Sequence, residues 1–228
     1  MVCLAHQQET HQAIQKAILG LWDVISGLSS IQPPRSDRYR VTIFGSARIQ
    51  SGSPIYKGVR RLASELTALG CDIVTGGGPG LMAAANEGSV QADPLDRTQS
   101  IGIRIDLETE QETNPFVEKV FQHRTFFSRL HHFVLISDAF VVVPGGIGTT
   151  LEVLMIWQLL QVRKLRQMPL ILVGDMWADL VDWGTRYMVD AEPPLAAKED
   201  MQIPHCVQTF DEAIALLHTA HQEWQQRK

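Results

Sequence analysis

Cysteine is scarce in this chain of 228 residues: Cys3, Cys71 and Cys206 are three in number, far apart, and none forms a CxxC pair. An odd, dispersed set excludes a disulfide framework and the paired-thiol spacing of zinc or redox sites, so these are read as ordinary reduced thiols. Basic charge is not in surplus. The 20 Lys and Arg stand against 25 Asp and Glu, a formal net charge of −5, which leaves no excess to neutralise a nucleic-acid backbone. A secretory leader is not expected either, because the first 15 residues hold no Lys or Arg and the apolar stretch after them is broken by Gly20 and Asp23. Long hydrophobic runs are missing too: the most apolar, Phe133 to Val143, is too short for a bilayer and carries Ser137 and Asp138. The expectation is a cytoplasmic protein with no nucleic-acid and no membrane partner.

What is present is an ordinary globular composition, 45% hydrophobic and 20% charged, which indicates order throughout. The length suits one large domain with at most a small appendage. Ile14, Ile18, Leu21, Ile25 and Leu28 are spaced to form one stripe of an amphipathic helix. Pro33-Pro34 ends it. The division expected is 1–37 as N-terminal helix and linker, and 38–228 as a Rossmann-like nucleotide-binding domain.

From Tyr39 onward, short apolar runs alternate with helical patterns. Strands are expected at Arg40–Phe44, Cys71–Val74, Ser100–Ile105, Val117–Phe121, Ala139–Val143 and Pro169–Val173. Helices are expected at Ile55–Leu69, Leu81–Glu87, Phe126–Ile136, Thr149–Val162, Trp177–Val189 and Phe210–Gln225. Strands apolar on both faces and separated by helices indicate an α/β fold, a parallel sheet with helices on both faces.

Three of the expected strands run into small residues before a helix: Gly45-Ser46, Gly76-Gly77-Gly78, and Gly145-Gly146 with Gly148. In an open parallel sheet the carboxyl ends of the strands are where ligands bind, and helix N-termini there offer free N–H donors to an anion. Each loop alone also has a purely structural reading, a tight strand-to-helix turn. Pro144-Gly-Gly-Ile-Gly-Thr149 has no Lys-Ser/Thr after its last glycine, so it is not an ATP-binding Walker A loop. No GxGxxG follows the first strand and no acidic residue ends the second, so NAD is a poor fit. A monophosphate at one helix N-terminus with the Thr149 hydroxyl is a better one. Glu152, one turn beyond Thr149, either faces that ligand or serves the helix dipole.

Pro144-Gly-Gly-Ile-Gly-Thr-Thr-Leu-Glu152 resembles the PGGxGTxxE signature of the LOG family, once widely labelled lysine decarboxylases. Phe44-Gly-Ser-Ala-Arg48, Thr75-Gly-Gly-Gly-Pro-Gly-Leu-Met82, Ala85-Asn86, Glu110-Gln111 with Asn114-Pro115, and Phe126-Phe-Ser-Arg129 resemble further blocks of that family in the same order, from about Tyr39 to Trp183. The resemblance implies a Rossmann-like fold, a homodimer, no cofactor and no metal. It also implies hydrolysis of the N-glycosidic bond of nucleoside 5′-monophosphates, AMP or a cytokinin riboside monophosphate, to free base and ribose 5-phosphate. It places Glu152 and Arg129 on the family's catalytic positions. Gly145, Gly146, Gly148 and Thr149 fall on the phosphate-binding turn, and Gly45 and Ser46 on a loop lining the nucleotide site. Gly77, Gly78 and Met82 are expected to line it as well.

Two positions depart from the family pattern: Leu130 stands where lysine is usual, and Ala83 where glycine or glutamate is usual. A second class of function therefore stays open, a non-catalytic nucleotide or molybdenum-cofactor binder. A pyridoxal-dependent decarboxylase is excluded by chemistry, because such enzymes need a Schiff-base lysine and no lysine lies between Lys57 and Lys119 or between Lys119 and Lys164. Breaking the glycosidic bond builds positive charge on the ribose, which a carboxylate stabilises. Glu152 would do this or activate water, and Arg129 would hold phosphate or ribose. His123, His131 and His132 flank the arginine and are read as surface or core residues.

Overall fold

A computed structural model describes residues 37–106, 112–165 and 168–227. The expected N-terminal helix and linker, and the Glu110-Gln111 pair, lie outside the described residues. Seven strands form one sheet: β1 (Arg40–Phe44), β2 (Asp72–Thr75), β3 (Ser100–Ile105), β4 (Lys119–His123), β5 (Ala139–Val142), β6 (Leu170–Val173) and β7 (Pro204–Val207). Their order is β4-β3-β2-β1-β5-β6-β7, and every pairing is parallel. The chain winds outward one way from β1 through β4, then returns to the other side of β1 for β5. The crevice between β1 and β5 is the topological switch point, where open α/β sheets bind ligands.

The apolar strands bury both faces. Val41, Ile43, Ile73, Val141 and Ile171 pack with α1 (Pro54–Ala68), α2 (Leu81–Ala92) and α6 (Phe210–Gln226) on one side. Phe44, Val74, Ile103, Phe140, Val142 and Leu172 pack with α3 (Phe126–Ile136), α4 (Ile147–Gln161) and α5 (Asp175–Gly184) on the other. Local sequence sets the helix limits. Ser53 caps α1 through the Tyr56 N–H, and Pro54 fills its first turn, where no amide donor is needed. Gly70, at φ +87°, ends it: its N–H donates to the Thr67 carbonyl and the Cys71 N–H to that of Leu66, a Schellman arrangement. Thr209 and Glu212 form a reciprocal capping box on α6.

The expected strands and helices are present with end shifts of up to five residues, the largest at α2, which continues to Ala92. Two features differ in kind. The stretch from Trp177 to Val189 is α5 followed by a π-helical turn, Thr185–Val189, and β7 was not anticipated. β7 begins on a proline and carries exposed His205 and Cys206, so it lacks the apolar run of the inner strands; an edge strand tolerates this.

Candidate functional site

Helices α1, α3 and α6 each start with a hydroxyl side chain that caps an N–H. Helices α2 and α4 start at Gly80 and Gly146 with no side-chain cap, and both begin at the carboxyl edge of the sheet, after β2 and β5. Backbone hydrogen bonds join their loops to the β1 loop. The Ser46 N–H donates to the Pro144 carbonyl at 3.1 Å, and the Leu81 N–H to the Ser46 carbonyl at 2.9 Å. Gly45 and Gly80 allow this closeness: a Cβ at Gly45 would lie 2.5 Å from Val143 Cγ2, and one at Gly80, where φ is +69°, 2.4 Å from the Ser46 carbonyl oxygen. The three glycine loops thus form one surface over the switch point.

A buried polar network holds the middle loop. The Asn86 amide oxygen accepts from the Thr75 hydroxyl at 2.7 Å and from Asn114 Nδ2 at 3.0 Å, while Asn86 Nδ2 donates to Ser100 Oγ at 2.8 Å. Thr75 Oγ1 accepts from the Gly77 N–H, and Asn114 donates to the carbonyls of Gly77 and Gly78 through its backbone N–H and Nδ2 respectively. Asn86 and Asn114 were expected only as parts of the family blocks. Their roles depend on contacts 28 residues apart, which no local spacing reveals.

Arg129 and Glu152 come together in the structure. Arg129 Nη1 donates to Glu152 Oε1 at 3.2 Å, Arg129 Nε donates to the Ile103 carbonyl at 2.9 Å, and the guanidinium lies over the Phe133 ring. Gly76 makes room for it: a Cβ there would sit 2.5 Å from Arg129 Nη2 and 2.7 Å from Met82 Sδ. Gly76 and Met82 therefore lie beside the arginine, although of the two only Met82 was expected to line a site. Glu152 is 7% exposed. Burial pushes its carboxyl up to about 7, more than the Arg129 charge and hydrogen bond pull it down.

In the last loop, Gly145 is required by internal packing, since a Cβ there would meet Thr149 Oγ1 at 2.3 Å; Cβ atoms at Gly146 and Gly148 would enter open space. The Thr149 side chain is thus folded back on the loop and buried. Gly146 and Gly148 are exposed where α4 presents its first N–H groups, the geometry of an anion site. Leu130 is buried, 7% exposed.

The histidines engage each other. His123 Nε2 and His132 Nδ1 are 2.8 Å apart, and His123 Nδ1 is 3.0 Å from Ser128 Oγ. Burial lowers the His132 ring to about 4, with the neighbouring His123 adding to the effect, and His123 is lowered by burial and by Arg129. Neither ring carries a proton to spare at neutral pH. Among the described residues, no group of three or more His, Cys, Asp or Glu could hold a metal ion, and no helix is long and apolar enough to cross a membrane.

Known proteins resemble this chain in sequence or in fold. Residues 82–217 match the family model described as "Possible lysine decarboxylase". Pyrimidine/purine nucleotide 5′-monophosphate nucleosidases of Escherichia coli, from strains K12 and O157:H7, are 29% identical over 140 residues, which is 59% of this chain but 30% of theirs. The chain thus spans under a third of the length of these curated relatives. A molybdenum cofactor carrier protein from Chlamydomonas reinhardtii superposes with a TM-score of 0.57 at 18% identity, covering 80% of this chain and 98% of that one. A molybdenum cofactor binding protein from Rippkaea orientalis gives 0.60 at 19%, covering 80% and 96%. These likenesses establish a shared fold. With the signature loop after β5, the glycine loop after β2 and the family model covering more than half its length, the chain belongs to the LOG family.

Proposed function

We propose that the chain is a nucleoside 5′-monophosphate phosphoribohydrolase, cleaving the bond between base and ribose to release free base and ribose 5-phosphate. The phosphate sits on the N–H groups at the start of α4, around Gly146 and Gly148, and Gly45, Ser46, Gly77, Gly78 and Met82 line the rest. The observation that carries this reading is the buried Arg129–Glu152 pair beside the three joined glycine loops. A carboxyl raised to about 7 is a stronger base than an ordinary glutamate and still ionises near neutrality. Ionised Glu152 stabilises positive charge on the ribose ring as the C1′–N bond breaks and the electron pair leaves with the base. Water oxygen then bonds to C1′ and keeps one hydrogen as the new hydroxyl, Glu152 accepts the other and returns it to solvent, and the departed base takes up one proton from solvent. Arg129 leaves the carboxylate for the ribose or phosphate oxygens and fixes the sugar against it. The curated relatives, named as nucleotide 5′-monophosphate nucleosidases, support the same chemistry.

The second reading, a non-catalytic nucleotide or molybdenum-cofactor carrier, is favoured by buried Leu130 in place of the family's lysine. Substituting Glu152→Gln separates the two. A hydrolase loses base release by about 10²–10⁴-fold while AMP affinity changes little; wild-type turnover in that variant sinks the hydrolytic role of Glu152. We also propose a homodimer. Ile147, Leu151 and Leu154 share one face of α4 and are 88%, 46% and 47% exposed, an apolar stripe that a second copy would cover. Nucleotide binding of this kind and the lack of a membrane-crossing helix among the described residues are consistent with cytoplasmic residence, which we infer.

A further inference from the structure

Helices α3 and α4 pack on the same face of the sheet, through Phe133 on one and Val153 and Ile156 on the other. Each follows a strand of the parallel sheet, β4 or β5, so both begin at its carboxyl edge. The contact of Arg129 with Glu152 at 3.2 Å joins them. Residues three and four apart share one face of a helix. One turn nearer that edge than Glu152, on the same face of α4, is Gly148, and one turn nearer it than Arg129 on α3 is Phe126. The ion pair is thus the floor of a cleft, and the first turns of the two helices are its walls. Exposure follows the same order: the Arg129 and Glu152 side chains are 13% and 9% exposed, and Phe126 at the rim is 50% exposed.

The two walls differ in chemistry. Helix α4 opens with Gly146 and no side-chain cap, so its N–H groups are free for an anion. Helix α3 opens with Thr125, whose hydroxyl accepts from the Ser128 N–H at 3.1 Å, while Ser128 Oγ donates to the Thr125 carbonyl. That turn caps itself, and what it offers the cleft is an aromatic ring. Side chains lean toward the N-terminus of their helix, which carries the Phe126 ring to the rim. Phe133, two turns below, is packed edge-on against Phe44 and under the Arg129 guanidinium; Phe126 makes no ring contact among the described residues. A nucleoside 5′-monophosphate carries its ribose between phosphate and base. With the phosphate at Gly148 and C1′ at Glu152, the base extends past the ion pair onto the first turn of α3. Every base has a π face that stacks on an aromatic ring, whatever its edge pattern. Resting on the function proposed above, we infer that Phe126 is the stacking platform for the base, and that the site accepts both purine and pyrimidine monophosphates rather than reading one base.

The test is calorimetric binding of AMP, GMP, UMP and CMP, with ribose 5-phosphate as a base-free probe, to the Glu152→Gln chain, so that the nucleotide is not consumed. Phe126→Ala, Phe126→Leu, Phe126→Trp and Phe127→Ala are each added to that chain. Phe126→Ala should weaken all four nucleotides by about fivefold to hundredfold, the worth of one base stacked on an aromatic side chain, with ribose 5-phosphate affinity and melting temperature held. Phe126→Leu, which keeps apolar bulk without a π face, should recover little of this, and Phe126→Trp should bind at least as tightly as the parent. Phe127 is turned about 100° round the helix from Phe126, so Phe127→Ala should change nothing. A Phe126→Ala chain that binds the nucleotides like its parent overturns the inference, as does one that weakens ribose 5-phosphate by the same factor, or a Phe126→Leu chain that restores full affinity. Base release in chains that keep Glu152 separates this claim from the one it rests on. If no monophosphate is cleaved yet affinities follow this pattern, hydrolysis fails and the platform stands. If cleavage occurs with KM unmoved by Phe126→Ala, the platform fails alone.

Discussion

At the residue scale, Glu152 ties stability to chemistry. An unfolded glutamate ionises near 4.5, and the folded Glu152 at about 7, so the folded protein holds the proton across the window between them. The stabilisation this brings is present below about pH 4.5 and is lost as pH rises through 7. The loss is of the order of 3 kcal/mol, from the separation of the two values. Denaturant titrations at pH 5 and pH 8 should therefore show wild type losing more stability between the two than Glu152→Gln, by that order of magnitude. An equal loss in both proteins would mean that the carboxyl is not raised. The same ionisation should appear in catalysis, with kcat/KM for a monophosphate rising from acid pH through a midpoint at about 7 to an alkaline plateau; a profile flat from pH 5 to 9 contradicts a base at this position.

At the scale of elements, two glycines that look alike in the sequence do different things. Gly80 is held at φ +69° with a backbone oxygen 2.4 Å from where a Cβ would go. Gly80→Ala should strain the β1 and β2 loops and cost more than about 2 kcal/mol in thermal or chemical unfolding. Gly146 has ordinary extended backbone, φ −97°, and open space beside it. Gly146→Ala should leave stability within about 0.5 kcal/mol while lowering phosphate affinity, because the methyl enters the space where the anion approaches. Calorimetry with inorganic phosphate and a melting curve on both variants distinguish a structural glycine from a binding one. The sequence made the glycine loops and their order legible, since strand periodicity and glycine runs are local signals. The resemblance to the LOG family singled out Arg129 and Glu152 as candidates. The Asn86 hub and the opening at Gly76 were not legible, because each depends on which strands become neighbours. β7 was missed for a related reason: its position comes from pairing with β6, not from an apolar run of its own.

At the scale of the whole molecule, the winding outward from β1 in two directions brings the β1, β2 and β5 loops to one edge, and the pair of helices α3 and α4 carries the two charged groups to it. The same helices leave apolar side chains outside. Met155, Leu159 and Leu160 pack against the chain's own core, whereas Phe127 and Ile147 are 78% and 88% exposed. Sedimentation at micromolar concentration should show a dimer, and Leu151→Asp with Leu154→Asp should shift it toward the 25.5 kDa monomer; a wild-type protein that sediments only as the monomer rules the dimer out. The central claim is hydrolysis that depends on the 5′-phosphate. Purified full-length chain incubated with a panel of nucleoside 5′-monophosphates and the matching nucleosides should release free base and equimolar ribose 5-phosphate from one or more monophosphates, and little or none from nucleosides. Equal turnover of adenosine and AMP, or no base released from any monophosphate, would contradict it.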